Sequence, residues 1–296
     1  MPDTNNRSAP LSPTTHVGRV ALQVSDLGRS LVFYRDGLGF AIIEESTEGT
    51  MRVARLGTGA TSSCLLELHE RRGARPVPSR GRLGLYHFAV LLPSQADLGR
   101  FVVHAASSGL QFAAADHLFS EALYLTDPDG LQVEVYRDRP RETWQYRNGE
   151  VVADTLPLDV DTVVDAAGHT LWSGLPADTS IGHVHLYVGD LPHARQFYVD
   201  GLGFEPSVTT FPGALFVAAG GYHHHVGLNT WAAGAPVAGP DDARLLWWEM
   251  IVPSPDAAAA VAVRMTAAGF VSHANSPGAF EAADAWGITV RIRPAD

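Results

Sequence analysis

Residues 17–40, VGRVALQVSDLGRSLVFYRDGLGF, and residues 181–204, IGHVHLYVGDLPHARQFYVDGLGF, align without a gap, and thirteen of the 24 positions are identical. Chance gives about one or two identities at ordinary residue frequencies, so the two stretches are copies of one structural unit and the chain is a duplication. Each copy begins with alternating apolar positions (VALQV, VHLYV), the period of a strand with one buried face. Asp-Leu then opens an amphipathic helix that carries Phe-Tyr and stops at a Gly-rich turn. Asp26 and Asp190 are placed to cap these helices, their carboxylates accepting otherwise orphaned backbone N–H groups.

Short strands follow each LGF: AIIEE, MRVARL and SCLLELH in the first copy, ALFVAAG and HHHVGLNTW in the second. The unit is therefore β-α-β-β-β. A weaker version of the same order runs through GLYHFAVLLP, ADLGRFVVHAASSG, EALYLTD and LQVEVYRD, and another through LLWWEMIVP, DAAAAVAVRMTAAGF and GITVRIRP. Four modules make two domains of an α+β fold, expected over 16–138 and 181–296. Between them, residues 139–180 have proline at both ends and one short helical stretch, which suits a connector. Residues 1–15, rich in Pro, Ser, Thr and Asn, read as a disordered tail.

The chain has 296 residues, 46% hydrophobic and 18% charged, enough for two packed cores and unlike a disordered chain. Asp plus Glu (32) exceed Lys plus Arg (21), a net charge of -11 that repels a nucleic-acid backbone. The single cysteine, Cys64, excludes an internal disulfide, fits a reducing compartment, and reads as a buried strand residue. The N-terminus lacks a basic start followed by an apolar run, and no segment reaches the roughly eighteen apolar residues of a membrane span. A cytoplasmic protein without nucleic-acid or membrane partners is expected. Many aromatics and exposed sheet edges make a homo-oligomer the expected assembly.

Tandem βαβββ modules with the D-L…FY…LGF pattern resemble the vicinal oxygen chelate superfamily, which includes glyoxalase I, bleomycin-resistance proteins and extradiol dioxygenases. The resemblance covers roughly residues 16–137 and 181–296. It implies that pairs of modules curl into a cup holding a metal, with ligands from first and last strands. Fold alone does not decide function, because the superfamily also includes metal-free sequestering proteins. A longer run, DHLFSEALYLTDPDGLQVEVY, reads H-x5-L-Y-x2-D-P-x-G-x3-E on His117, Leu123, Tyr124, Asp127, Pro128, Gly130 and Glu134. It is similar to the signature of catechol 2,3-dioxygenase-like extradiol enzymes, with Ala115 standing where that pattern usually has Gly.

By resemblance, Glu134 is the carboxylate ligand, His117 and Tyr124 flank the centre, and His87 falls where a ligand histidine is expected. Two imidazoles and one carboxylate hold Fe(II) while leaving positions open for substrate and oxygen, so one more histidine is needed. The module-one equivalent is Arg19, which cannot coordinate a cation; the module-three equivalent is His183, seven residues before Asp190 as Arg19 is seven before Asp26. The expectation is that modules two and three share a cup, with modules one and four paired outside it. Rival sites remain open: Glu249 with His183 and a member of the run His223–His225 if modules three and four pair, or Glu67 with His87 and Glu134 if modules one and two do. In GYHHHVGLNTW a strand alternates its faces, and the resemblance implies an acid/base histidine there: His224, with His225 next and His223 open.

The resemblance thus implies a metal-dependent ring-cleaving dioxygenase of aromatic breakdown, using Fe(II) or Mn(II) and dioxygen on a catechol or related vicinal diol. Two alternatives stand beside it: a glyoxalase-like metal-dependent isomerase or lyase, and a metal-free protein that sequesters a small aromatic or antibiotic. A lone histidine on a strand, a solvated strand carboxylate and a hydrogen-bonded HHH cluster are the bland readings of the same residues.

Overall fold

A computed structural model describes residues 10–295, and the first nine positions of the expected tail lie outside the described residues. Of the remainder of that tail, Leu11 joins the hydrophobic core and Thr15 is buried with its N–H donating to the Ser12 carbonyl, while Pro10, Pro13 and Thr14 are exposed. The chain is α+β and builds two eight-stranded sheets.

The first strand of module one, His16–Val24, pairs antiparallel with the first strand of module four, Arg244–Val252. In the other sheet, Gly84–Leu91 of module two pairs antiparallel with Ser180–Tyr187 of module three. Modules two and three therefore share one sheet, and modules one and four the other. Each sheet joins strands from both halves of the sequence.

Within every module the first and last strands run parallel, as Gly84–Leu91 does with Gln132–Asp138 and Ser180–Tyr187 with Val226–Asn229, and the remaining strands continue antiparallel. Side-chain alternation then sorts core from cup. Phe88, Val90, Val133, Val135, Val184 and Leu186 all enter the main hydrophobic core, whereas His87, Glu134, His183 and His185 project from the opposite face.

Asp26 and Asp190 cap their helices as the sequence predicts, accepting from the backbone N–H of Arg29 and His193. Each helix then widens into a π-helical turn, Val32–Gly37 and Gln196–Gly201, which carries the Phe-Tyr pair. Those tyrosines act as clasps between modules: Tyr34 donates to Asp127 and Tyr198 to Asp284, both at 3.0 Å. Each aspartate also accepts two backbone N–H groups of its own turn, from Asp129 and Leu131 or from Trp286 and Ile288. Gly130 closes the first of these turns at φ +86, where a Cβ would lie 2.1 Å from the Val77 carbonyl oxygen. Only glycine fits there.

Cys64 is half-buried just ahead of the strand Leu66–Glu70 instead of buried within one. The connector contains the expected short helix, Val160–Ala166, seated on Gly99 of the module-two helix Gln95–Ser107. It also forms a hairpin, Tyr146–Arg147 with Glu150–Val151. Among the described residues no helix is long and apolar enough to cross a membrane.

Candidate metal centre

At the junction of modules two and three the two central strands set His87 opposite His185, and the bulge beside them brings His183 next to Ala89. The parallel last strand aligns Glu134 with Ala89. Ala89 has almost no side chain, so the space above it is filled by the three neighbours. His87 Nε2 lies 3.0 Å and His183 Nε2 3.1 Å from the same oxygen, Oε2 of Glu134, and the two Nε2 atoms are 3.2 Å apart.

Three ligands held at about 2.1 Å from one ion and at right angles to each other lie about 3.0 Å apart, the edge of an octahedral face. The observed triangle has that size. It is the one group among the described residues with the separations a metal ion requires. Burial lowers the pKa of His87 and His183 and opposes the pull of Glu134, so both rings favour the neutral, ligating form. Burial alone would raise the Glu134 pKa, but the two imidazoles hold it well below the usual carboxylate range. The residues present fit a divalent metal.

Two members of the triangle, His87 and Glu134, line a cavity of about 420 Å³, within the range of small-ligand sites, with His183 beside them. Its walls are aromatic: Tyr86, Phe119, Tyr124, Phe211, Phe216 and Trp231. No lysine or arginine lines it. His117 and Tyr124 stand together on one side. His117 Nδ1 is 2.8 Å from the Asp154 carbonyl oxygen and must donate to it, so His117 Nε2 accepts from the Tyr124 hydroxyl at 2.7 Å. Burial, reinforced by Glu134, keeps the Tyr124 phenol protonated far above its usual range.

The HHH run precedes the strand Val226–Asn229 in a bend, instead of lying on it, yet its three rings still diverge. His224 lines the cavity with its ring centre 4.1 Å from that of His183. His223 lies behind it, stacked on Phe119 and bonded to Asp138. His225 turns away, its Nδ1 accepting from the Ala219 N–H and its ring beside Phe204. Of the two histidines the sequence favours here, only His224 reaches the cavity.

The rival carboxylates are committed elsewhere. Arg19 bonds Glu249 at 2.6 Å and Glu67 at 3.0 Å in the cup of modules one and four. In that cup the positions of His87, Glu134 and His183 are held by Trp247, Arg291 and Arg19, with the Arg291 guanidinium 4.1 Å from the centre of the Trp247 ring. Two cations in place of a carboxylate and an imidazole rule out a metal there.

Pattern reasoning does not anticipate that the connector reaches the site. Ala153, Asp154 and Thr155 line the cavity rim, and the Asp154 backbone fixes His117. His185 is a second unanticipated wall residue, accepting from Asn229 Nδ2 at 3.0 Å and packed over Gly227.

The family model of the glyoxalase/bleomycin resistance protein/dioxygenase superfamily matches residues 16–135 and 180–283. The chain belongs to that superfamily. It is 42% identical to a protein of Bacillus subtilis (strain 168) named catechol-2,3-dioxygenase, over 86% of this chain and 89% of the relative. Among solved structures, a putative dioxygenase from Bacillus subtilis superposes with a TM-score of 0.66 at 12% identity, over 97% of this chain and 86% of that one. Glyoxalase I from Zea mays superposes with a TM-score of 0.55 at 16% identity, over 94% and 92% of the two chains. At those identities the structures share the fold.

Proposed function

We propose that the chain is an extradiol-type dioxygenase that opens the ring of a catechol or related vicinal diol with dioxygen. The observation that carries this reading is the triangle of His87 Nε2, His183 Nε2 and Glu134 Oε2, with edges of 3.0–3.2 Å, two of whose residues, His87 and Glu134, line an aromatic cavity. The catechol-2,3-dioxygenase name of the 42% identical relative supports it. The three residues would hold Fe(II), with Mn(II) the alternative, since this ligand set with open positions suits oxygen-activating iron. Such an ion supplies Lewis-acid and one-electron chemistry at a site with room for both reactants.

The protein contributes position and proton handling. Phe119, Phe211, Phe216 and Trp231 enclose a flat ring, and the absence of lining cations favours an uncharged one. His224, neutral because burial drives its pKa well below the usual histidine range, takes a hydroxyl proton from the diol and later returns one. Tyr124, held by His117, has a protonated hydroxyl that turns to a substrate oxygen. The test is anaerobic purification with metal analysis, then oxygen uptake on catechol and substituted catechols. About one iron or manganese per chain with uptake and a yellow ring-opened product supports the reading. Bound metal without uptake on any diol would favour the isomerase chemistry of other superfamily members, and no affinity for iron or manganese would favour a binding protein.

A further inference from the structure

We infer that Asp138 and His223 are positioning residues that set the tautomer of His224, so that its Nε2 presents a lone pair to the cavity. The inference rests on the reading of His224 as the proton acceptor. It begins with a carboxylate, which accepts hydrogen bonds and donates none.

Asp138 ends the strand Gln132–Asp138 that carries Glu134, and the spacing of four places both carboxylates on the same face. Its Oδ1 is 2.9 Å from His223 Nε2, so that nitrogen carries the proton. Its Oδ2 accepts from the Tyr222 hydroxyl at 2.9 Å, and Tyr222 in turn is 2.8 Å from the Tyr136 hydroxyl. With His223 as a neutral imidazole, which has one N–H, its Nδ1 holds a lone pair. That atom lies 2.8 Å from His224 Nδ1, which must be the donor. The single proton of His224 is thereby on Nδ1, and Nε2 is left as an acceptor on a ring that lines the cavity.

The intermediate ring is held in place. His223 is 1% exposed and stacked on Phe119 with ring centres 4.3 Å apart, with Tyr222 4.0 Å away on centres. Its backbone carbonyl accepts from Ser207 Oγ at 2.5 Å. A proton taken by His224 Nε2 from a diol hydroxyl leaves a positive charge on His224, and the Nδ1–H to Nδ1 bond shares it with His223 and the carboxylate beyond.

The chain of donors predicts an inverted order of damage. Asp138→Asn is nearly isosteric, but its amide can donate to His223 Nε2. That would move the proton of His223 to Nδ1 and the proton of His224 to Nε2, converting the acceptor into a donor. Asp138→Ala leaves the tautomer undirected, and Asp138→Glu keeps an acceptor. Turnover on catechol should therefore fall most in Asn, by about 100-fold in kcat with KM and metal content near wild type, less in Ala and least in Glu. A residue that only fills space would show Asn closest to wild type, and that order overturns the inference. The second measurement is histidine 15N shifts in zinc-loaded enzyme, expected to show His224 as Nδ1–H in wild type, Nε2–H in Asn and a mixture in Ala. An unchanged His224 signature in Asn, or in Ala should Asn not fold, also overturns it. Because the shifts are read without turnover, failure of every diol to react would sink the dioxygenase reading and leave this one decided by the nitrogens.

Discussion

Arg19 Nη2 lies 2.6 Å from Glu249 Oε1, at the centre of the cup that modules one and four build. Its counterpart in the other cup is His183 beside Glu134. The duplication thus produced two equivalent hollows, one carrying a metal-sized triangle and the other a fixed cation between two carboxylates. Its bonds to Glu249 and Glu67 raise the Arg19 pKa although burial opposes its charge, so it stays a cation between the two carboxylates at every working pH. Arg19→Ala would leave Glu67 and Glu249 without their shared counterion, with the longer arginine contacts, Arg55 to Glu67 at 3.7 Å and Arg293 to Glu249 at 3.4 Å, remaining. Breaking such a network costs about 3–5 kcal/mol when fully buried, and because Arg19 is about one-third exposed the expected loss is nearer ~2 kcal/mol. Urea denaturation should show that loss while metal content stays at the wild-type level. Metal loss in Arg19→Ala would mean that the two cups are not independent.

The ligand triangle makes a sharper prediction. His87→Ala, His183→Ala and Glu134→Ala should each weaken metal binding by more than about 100-fold, since even residues that merely support ligands are worth about 10–100-fold. Glu67→Ala and Glu249→Ala should retain metal, because both carboxylates face Arg19. Metal analysis after dialysis against a weak chelator separates the two sets. Loss in Glu249→Ala with retention in His87→Ala would reject the site.

The duplication was legible because the two copies of the strand-helix unit kept their caps, their Phe-Tyr pairs and their glycines. Those residues serve the clasp between Tyr34 and Asp127 and its twin between Tyr198 and Asp284, a structural need that both halves share. The triangle was legible for the opposite reason: Arg19 breaks the equivalence, and its charge excludes it as a ligand. What spacing could not convey depends on chain segments that come together from far apart. The Asp154 carbonyl reaches His117 from 37 residues away, and Asp138 reaches His223 across 85. The family pattern offers His225 next to His224, but a pattern match does not say which ring faces the cavity, and the bend turns His225 to the Ala219 N–H.

Stability should fall between about pH 4 and pH 6 through the two clasp aspartates. Burial raises Asp127 and Asp284 from 3.8 to about 6, despite the hydrogen bonds that oppose it. A carboxyl whose folded pKa exceeds its unfolded one stabilises the fold fully below the unfolded value and loses that contribution as pH rises through the folded value. Each shift corresponds to roughly 3 kcal/mol at neutral pH. Asp127→Asn and Asp284→Asn carry no titrating proton, and their amide oxygen can still accept from the turn. Relative to wild type, each variant should therefore gain by about 2–3 kcal/mol between pH 4 and pH 7, measured by urea denaturation across that interval. A constant difference would show that these carboxyls titrate normally.

Adjacent histidines provide the last contrast, because His224 and His225 differ in what they touch and not in type. His224 lines the cavity against His183 and Phe216, whereas His225 accepts the Ala219 N–H on the far side of the bend. His224→Ala should keep the metal, since its ring does not belong to the triangle, and should lose about 10²–10⁴ in kcat as a general base removed from its substrate. His225→Ala removes a buried acceptor and leaves the Ala219 N–H without one, so its cost should appear as about 1–3 kcal/mol of stability and as a smaller loss of kcat. Steady-state oxygen uptake and thermal denaturation on the same preparations separate the two. Equal kcat losses would mean that the bend, and not the ring facing the cavity, is what catalysis requires.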